Sequence, residues 1–214
     1  MVIRIFAFVW LCLCSLAAAA GPRGLPVPTV SYSADRIMET EGNTFTGRVY
    51  SSGGRERTEI DMQGMQSVMI LRPDKQLGWM LMPAQRMYQE LDFAKARQQA
   101  GSGPSDEVTI TEEGADTVEG LATTKYKLLM KDGSAGGFMW FTADGIPVKM
   151  DLLSKDGGRK SRITVTLRNL QVGEVDPQLF ELPSGYTAMP SFPGMGAGKG
   201  VKGALSGLLG RGGR

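Results

Sequence analysis

Two pairs of adjacent carboxylates, Asp106–Glu107 and Glu112–Glu113, are the first residues here that could do chemistry. A glycosidase uses two carboxylates facing each other across the scissile bond. Neighbouring residues on a strand point to opposite faces, so neither pair converges on a substrate. They read as a solvated edge. A glycine-rich run from Gly194 to Gly200 contains Lys199 and suggests a phosphate cradle. Lys199 is followed by Gly200, where a phosphate loop carries Ser or Thr, and no strand leads into the run. The chain has no histidine, which excludes a Ser-His-Asp triad and a histidine metal site. No catalytic residue, metal or cofactor is expected.

The only cysteines, Cys12 and Cys14, stand in an N-terminal segment with the three parts of an export signal. Arg4 gives the positive start, Ile5 to Leu16 is apolar apart from Ser15, and Ala17 to Ala20 supplies small residues for cleavage. The apolar run falls short of the roughly 20 residues that span a bilayer. Neither cysteine follows small residues, as an acylation site would. Residues 1–20 are therefore expected to be a cleaved signal peptide, and the location periplasmic. The mature chain then has no disulfide and no thiol chemistry.

Removing Arg4 from the 24 basic residues leaves 23 against 22 acidic ones, a net charge of +1. That balance gives no reason to expect nucleic acid. Residues 21–32, rich in Pro and Gly, read as a flexible spacer.

From residue 33 onward, short strands and turns dominate. Phe45, Gly47 and Val49 alternate with Thr44, Thr46 and Arg48. Arg55, Arg57, Glu59 and Asp61 oppose Thr58, Ile60 and Met62, the pattern of a half-buried antiparallel strand. Met65 to Leu71 and Leu77 to Met82 are apolar on both faces. Asp92 can cap a helix over Phe93 to Gln99, which a break at residues 101–105 ends. Short strands are expected at Val108–Glu112 and Thr117–Val118. Asp132-Gly133, Asp144-Gly145 and Asp156-Gly157 then punctuate strands around Thr123–Met130, Gly137–Thr142, Ile146–Leu152 and Arg162–Leu170, a meander of antiparallel neighbours. Asp176-Pro177 starts one capped helical turn.

From Ser191 the composition changes: nine of the last 24 residues are glycine. Residues 191–214 read as a disordered tail. Val201, Leu205, Leu208 and Leu209, with basic residues around them, offer a weak amphipathic segment for a membrane or an envelope protein partner.

Twelve methionines follow Met1. Methionine adapts to irregular apolar partners, so these residues either fill a core or line a surface for variable apolar ligands. Strands apolar on both faces favour a cavity, because one clear helix cannot cover a curved sheet.

The order of motifs resembles the LolA-like superfamily of periplasmic lipoprotein carriers and their lipid-binding relatives, in an uncharacterised exported branch. The resemblance runs from about Ser33 to Tyr186. It rests on Phe45–Tyr50, Gly54–Glu59, Val68–Lys75, Gly78–Pro83 with Tyr88, Thr117–Leu121 leading to Lys125-Tyr126, Met139–Thr142 with Gly145–Lys149, and Phe180–Tyr186. It implies a mainly β (α+β) fold at residues 33–190, an incomplete antiparallel β-barrel (half-barrel) of about 10–11 strands with short helices covering the concave face. It also implies a non-catalytic monomer that holds acyl chains of lipid or lipoprotein in an apolar cavity. Size and inward direction select Phe45, Ile60, Met62, Met80, Met82, Phe138, Trp140 and Met150 as the ligand-binding set. In the carrier a buried arginine helps govern release; Arg48, Arg55 and Arg57 are the candidates here. The alternative function is an envelope protein-interaction or stress-sensing module on the same fold.

Overall fold

A computed structural model describes residues 24–62, 64–94, 108–156 and 159–189. The expected signal peptide, the break at 101–105 and the glycine-rich tail lie outside the described residues.

Among the described residues, twelve strands form one sheet. They are β1 (Tyr32–Thr40), β2 (Asn43–Ser52), β3 (Arg55–Met62), β4 (Met65–Arg72), β5 (Leu77–Met82), β6 (Met87–Asp92), β7 (Val108–Val118), β8 (Leu121–Met130), β9 (Ala135–Phe141), β10 (Pro147–Asp156), β11 (Arg159–Val172) and β12 (Thr187–Ala188). The order across the sheet is β12-β6-β5-β4-β3-β2-β1-β11-β10-β9-β8-β7. Two antiparallel meanders, β1–β6 and β7–β11, thus join through the long-range pair β1·β11. The terminal strands β12 and β7 do not pair with each other, so the sheet is an open half-barrel.

The fold is mainly β, with twelve strands where ten or eleven were expected. Two additions are β1, in which a buried Arg36 interrupts the apolar alternation, and β12, which exists only through its parallel pairing with β6. The segments expected at Val108–Glu112 and Thr117–Val118 fuse into β7 across a bulge between Glu112 and Gly114.

The expected helices over the concave face are not seen among the described residues. Helical conformation there is confined to Phe93-Ala94, the start of the helix expected over Phe93 to Gln99, whose remainder lies outside the described residues, and to three short 3-10 turns, Pro73–Lys75, Pro83–Gln85 and Pro177–Phe180. The first two turns close the β4–β5 and β5–β6 hairpins. Each begins with Pro, which presets φ, and ends on a left-handed residue, Gln76 or Arg86. The third is the capped turn expected at Asp176, whose carboxylate accepts the Gln178 N–H at 2.8 Å.

Successive side chains alternate between the two faces of a strand. The inner face carries Met38, Phe45, Ile60, Met139, Phe141, Met150, Ile163 and Val165, all buried in one cluster. The stretch read as a flexible spacer lies along this sheet: Leu25 packs on that cluster, and the Thr29 N–H donates to Asp144 C=O at 3.0 Å.

The outer face of β3–β6 has its own cover. After β11 the chain crosses it as a strap from Gly173 to Tyr186. Phe180 of the strap is fully buried against Val68, Ile70, Trp79 and Leu81, with Val175, Leu182 and Tyr186 beside it. Arg72 fastens the strap, donating to Asp74 at 2.7 Å and to the Glu181 carboxylate and Phe180 C=O. Arg57 donates to Leu179 C=O at 3.2 Å, and the Arg55 guanidinium lies over the Phe180 ring. This is why β4 and β5 are apolar on both faces: one side meets the barrel interior and the other meets the strap.

Candidate apolar binding face

One cross-strand rung defines the inner face. Phe45 opposes Met38, Met38 opposes Val165, Val165 opposes Met150, Met150 opposes Met139, and Met139 opposes Tyr126. Six strands thus contribute one apolar side chain each, in register. Beyond β2 the same face runs over Val49, Thr58, Met69, Met80 and Gln89.

The structure brings together Phe45, Ile60 and Met150 in the buried inner cluster. Met80 and Met82 share that face through their partners Met69 and Met87, and both are half-buried. Met62 pairs with Met65 on the same face by register; its side chain lies outside the described residues. Phe138 and Trp140 do not join the set. They stand on the outer face, where the Trp140 indole N–H donates to Asp116 at 2.7 Å. Lys125 sits 4.1 Å over the Phe138 ring and Lys149 sits 4.9 Å over the Trp140 ring. Their neighbours Met139 and Phe141 take the inward places instead. Phe138 to Phe141 are four large apolar residues in succession, so no alternation reveals which pair faces in. The indole N–H was the available signal, since a buried tryptophan needs a hydrogen-bond partner such as Asp116 supplies.

The inner face carries one charged network that sequence reasoning missed. Arg36, 7% exposed, crosses β2 from β1 and donates to Thr58 Oγ1 at 2.8 Å and to Glu56 at 3.1 Å on β3. It passes over Gly47, the residue opposite both Arg36 and Ile60. A Cβ at Gly47 would come within 2.0 Å of Glu59 C=O, so close strand approach requires glycine there. Burial, then the Glu56 charge, pushes the neighbouring Tyr32 phenol above its ordinary range. The Arg36 Nε is also buried and has no partner among the described residues.

Arg36 lines a cavity with Met38, Phe45, Thr46, Gly47, Ile60 and Val165, of about 10 Å³. That is room for about one water molecule, so an acyl chain would enter only by displacing the lining side chains. The arginine candidates Arg48, Arg55 and Arg57 all lie on the outer face. Arg48 pairs with Asp35 at 2.7 Å, and the other two hold the strap. The buried arginine at the cavity is Arg36. Among the described residues no group of His, Cys, Asp or Glu could hold a metal ion.

No curated protein matches the chain. Among solved structures, an uncharacterised conserved protein of Thermus thermophilus aligns with a TM-score of 0.52 at 12% identity, over 85% of this chain and 98% of that one. The Pseudomonas aeruginosa MucA/MucB complex aligns with a TM-score of 0.49 at 18% identity, over 81% of this chain. This chain spans 60% of the matched MucA/MucB chain. A LolA superfamily protein of Nitrosomonas europaea, NE2245, is also similar, at 8% identity with a TM-score of 0.39, over 80% of this chain and 96% of that one. The family profile described as a domain of unknown function, DUF4412, matches residues 37–144. With half of its length matching that profile, the chain belongs to the DUF4412 family.

Proposed function

We propose that this protein is a non-catalytic binding module of the cell envelope that takes acyl chains of lipid or lipoprotein against its inner face. One observation carries this reading. The inner face is buried over β1, β2 and β9–β11, and it continues over β5–β6 as half-buried Met80, Met82 and Met87. The strap covers the other side of these strands. Flexible thioether side chains can part around a chain of variable shape. The entering chain would pass from Met82 and Met80 towards Phe45, Ile60 and Met150, and the small cavity beside Arg36 would be its end point. Arg36 would then take the part that the LolA resemblance gives to a buried arginine. Export by residues 1–20 would place the module in the periplasm.

A fluorescent fatty acid titrated into the full chain tests this. Binding at or below roughly tens of micromolar is expected, weakened by Met80→Ser with Met82→Ser and unaffected by Phe138→Ser. Absence of binding in that range would sink the proposal.

The second reading is an envelope protein-interaction or stress-sensing module. The terminal strand β7 favours it, because an edge strand offers its backbone to an added strand. Partner capture that needs β7 or residues 191–214, without any fatty-acid binding, would select it.

A further inference from the structure

We propose that the outer face of β8–β11 is a docking surface for an anionic lipid bilayer. The strand register places two exposed leucines in one row: Leu129, 47% exposed, and Leu153, 39% exposed, both oppose Gly136. Gly136 carries no side chain, and Leu129 leans over it: a Cβ there would lie 3.1 Å from Leu129 Cδ1. The next row inward is Lys127–Phe138–Asp151. The row beyond the leucines, at the tip of the β10–β11 hairpin, is Lys155–Lys160. Arg162 opposes Leu153.

Lys127, Lys155, Lys160 and Arg162 therefore frame the leucine row on three sides, and all four are exposed. No described side chain forms an ion pair with Lys127, Lys155 or Lys160. Asp132 stands in the β8–β9 turn beside Lys155, its carboxylate accepting the Ser134 N–H, and two further described acids project from β10 and β7. Asp151 is held by Arg162, with contacts at 2.7 and 2.5 Å, and Asp116 accepts the Trp140 indole N–H. The chain as a whole is nearly balanced, 24 basic against 22 acidic residues, whereas Lys127, Lys155, Lys160 and Arg162 stand together here.

Charge complementarity calls for an anionic occupant. The shape selects a bilayer over a protein. Apolar tips on a sheet face, ringed by long flexible lysines, suit a headgroup layer that conforms to them. A protein hot spot would need a recess to receive an anchoring side chain, and the cavity described above is on the opposite face. The rings of Phe138 and Trp140, with Lys125 and Lys149 over them, continue the same face beside the patch.

This surface is independent of the acyl-chain reading: loss of fatty-acid binding would leave it intact. The test is flotation of the full chain with phosphatidylcholine vesicles, and with vesicles in which phosphatidylglycerol replaces about a third of the lipid. Co-flotation is expected only with the anionic vesicles, and rising salt should release it. Lys155→Ala with Lys160→Ala should lower the partition coefficient at least roughly tenfold. Leu129→Ser with Leu153→Ser should lower it several-fold. Lys199→Ala with Lys202→Ala should leave it unchanged. In unmodified protein, anionic vesicles should protect Lys127, Lys155 and Lys160 from amine-reactive labelling and leave Lys75 reactive. No flotation, labelling unchanged by vesicles, binding abolished by the tail variant instead, or capture by soluble polyglutamate without vesicle binding would each overturn the proposal.

Discussion

The Arg36 guanidinium reaches over β2 to the Glu56 carboxylate at 3.1 Å, and both side chains are largely shielded from water. The pair ties β1 to β3 inside the barrel, above a residue that has no side chain. Thr58 completes it, accepting from Arg36 and donating to Glu56 at 2.9 Å. Breaking a buried pair by removing one partner leaves the other uncompensated.

Arg36→Met should therefore destabilise the protein by about 3–5 kcal/mol, measured by urea unfolding. Adding Glu56→Leu to that variant should recover part of the loss, because no lone charge then remains. A double variant whose cost equals the sum of the single costs would show that the two side chains are uncoupled.

Gly47→Ala should lower stability by roughly 3 kcal/mol, at the upper end for an inserted methyl group. The added Cβ would meet Glu59 C=O, which is backbone and cannot turn aside. Gly42→Ala, whose Cβ meets nothing within 4 Å, separates crowding from backbone strain because its φ is +86°. Crowding predicts a distinctly larger loss at Gly47 than at Gly42.

Phe180→Ala should cost about 3–5 kcal/mol, since its ring is fully buried against Val68, Ile70, Trp79 and Leu81. Trp79 packs in the same cluster, so its emission should shift to the red as the strap loosens. An unchanged emission maximum in the folded variant would mean the strap stays seated without its anchor.

Acid should loosen the same strap. Hydrogen bonds from Arg72 hold the Asp74 carboxyl below its ordinary range, and Lys75, then Arg72, do so for Glu181. A carboxylate whose pKa is depressed by folding stabilises the native state above its unfolded value, about 4. That contribution is lost as pH falls through the depressed value. The melting temperature should decline below about pH 4, and less steeply in Asp74→Asn with Glu181→Gln. Equal slopes would remove these two groups from the acid response.

Much of the fold was legible residue by residue. Arg162 to Leu170 alternates cleanly, and β11 places Ile163, Val165 and Leu167 inward as read. The capped turn at Asp176 formed because Pro177 and the Asx cap act locally. The inward direction of the proposed lining was legible where apolar and polar residues alternate, as at Phe45 and Ile60. It failed at Phe138 and Trp140, where four large residues in a row erase the parity and a register shift between Pro147 and Lys149 sits opposite.

The sequence by itself determined the strands, the hairpin turns and the absence of histidine, because each depends on residue type and on neighbours a few positions away. Tertiary structure alone decided three things. β1 met β11 across more than a hundred residues, which joined two meanders into one sheet. The strap brought Phe180 onto β4 and β5 and so explained strands apolar on both faces. Arg36 became an interior residue because Glu56, Thr58 and the empty place at Gly47 lie on neighbouring strands. A charged side chain looks like surface in a linear pattern; only its partners across the sheet can make its burial affordable.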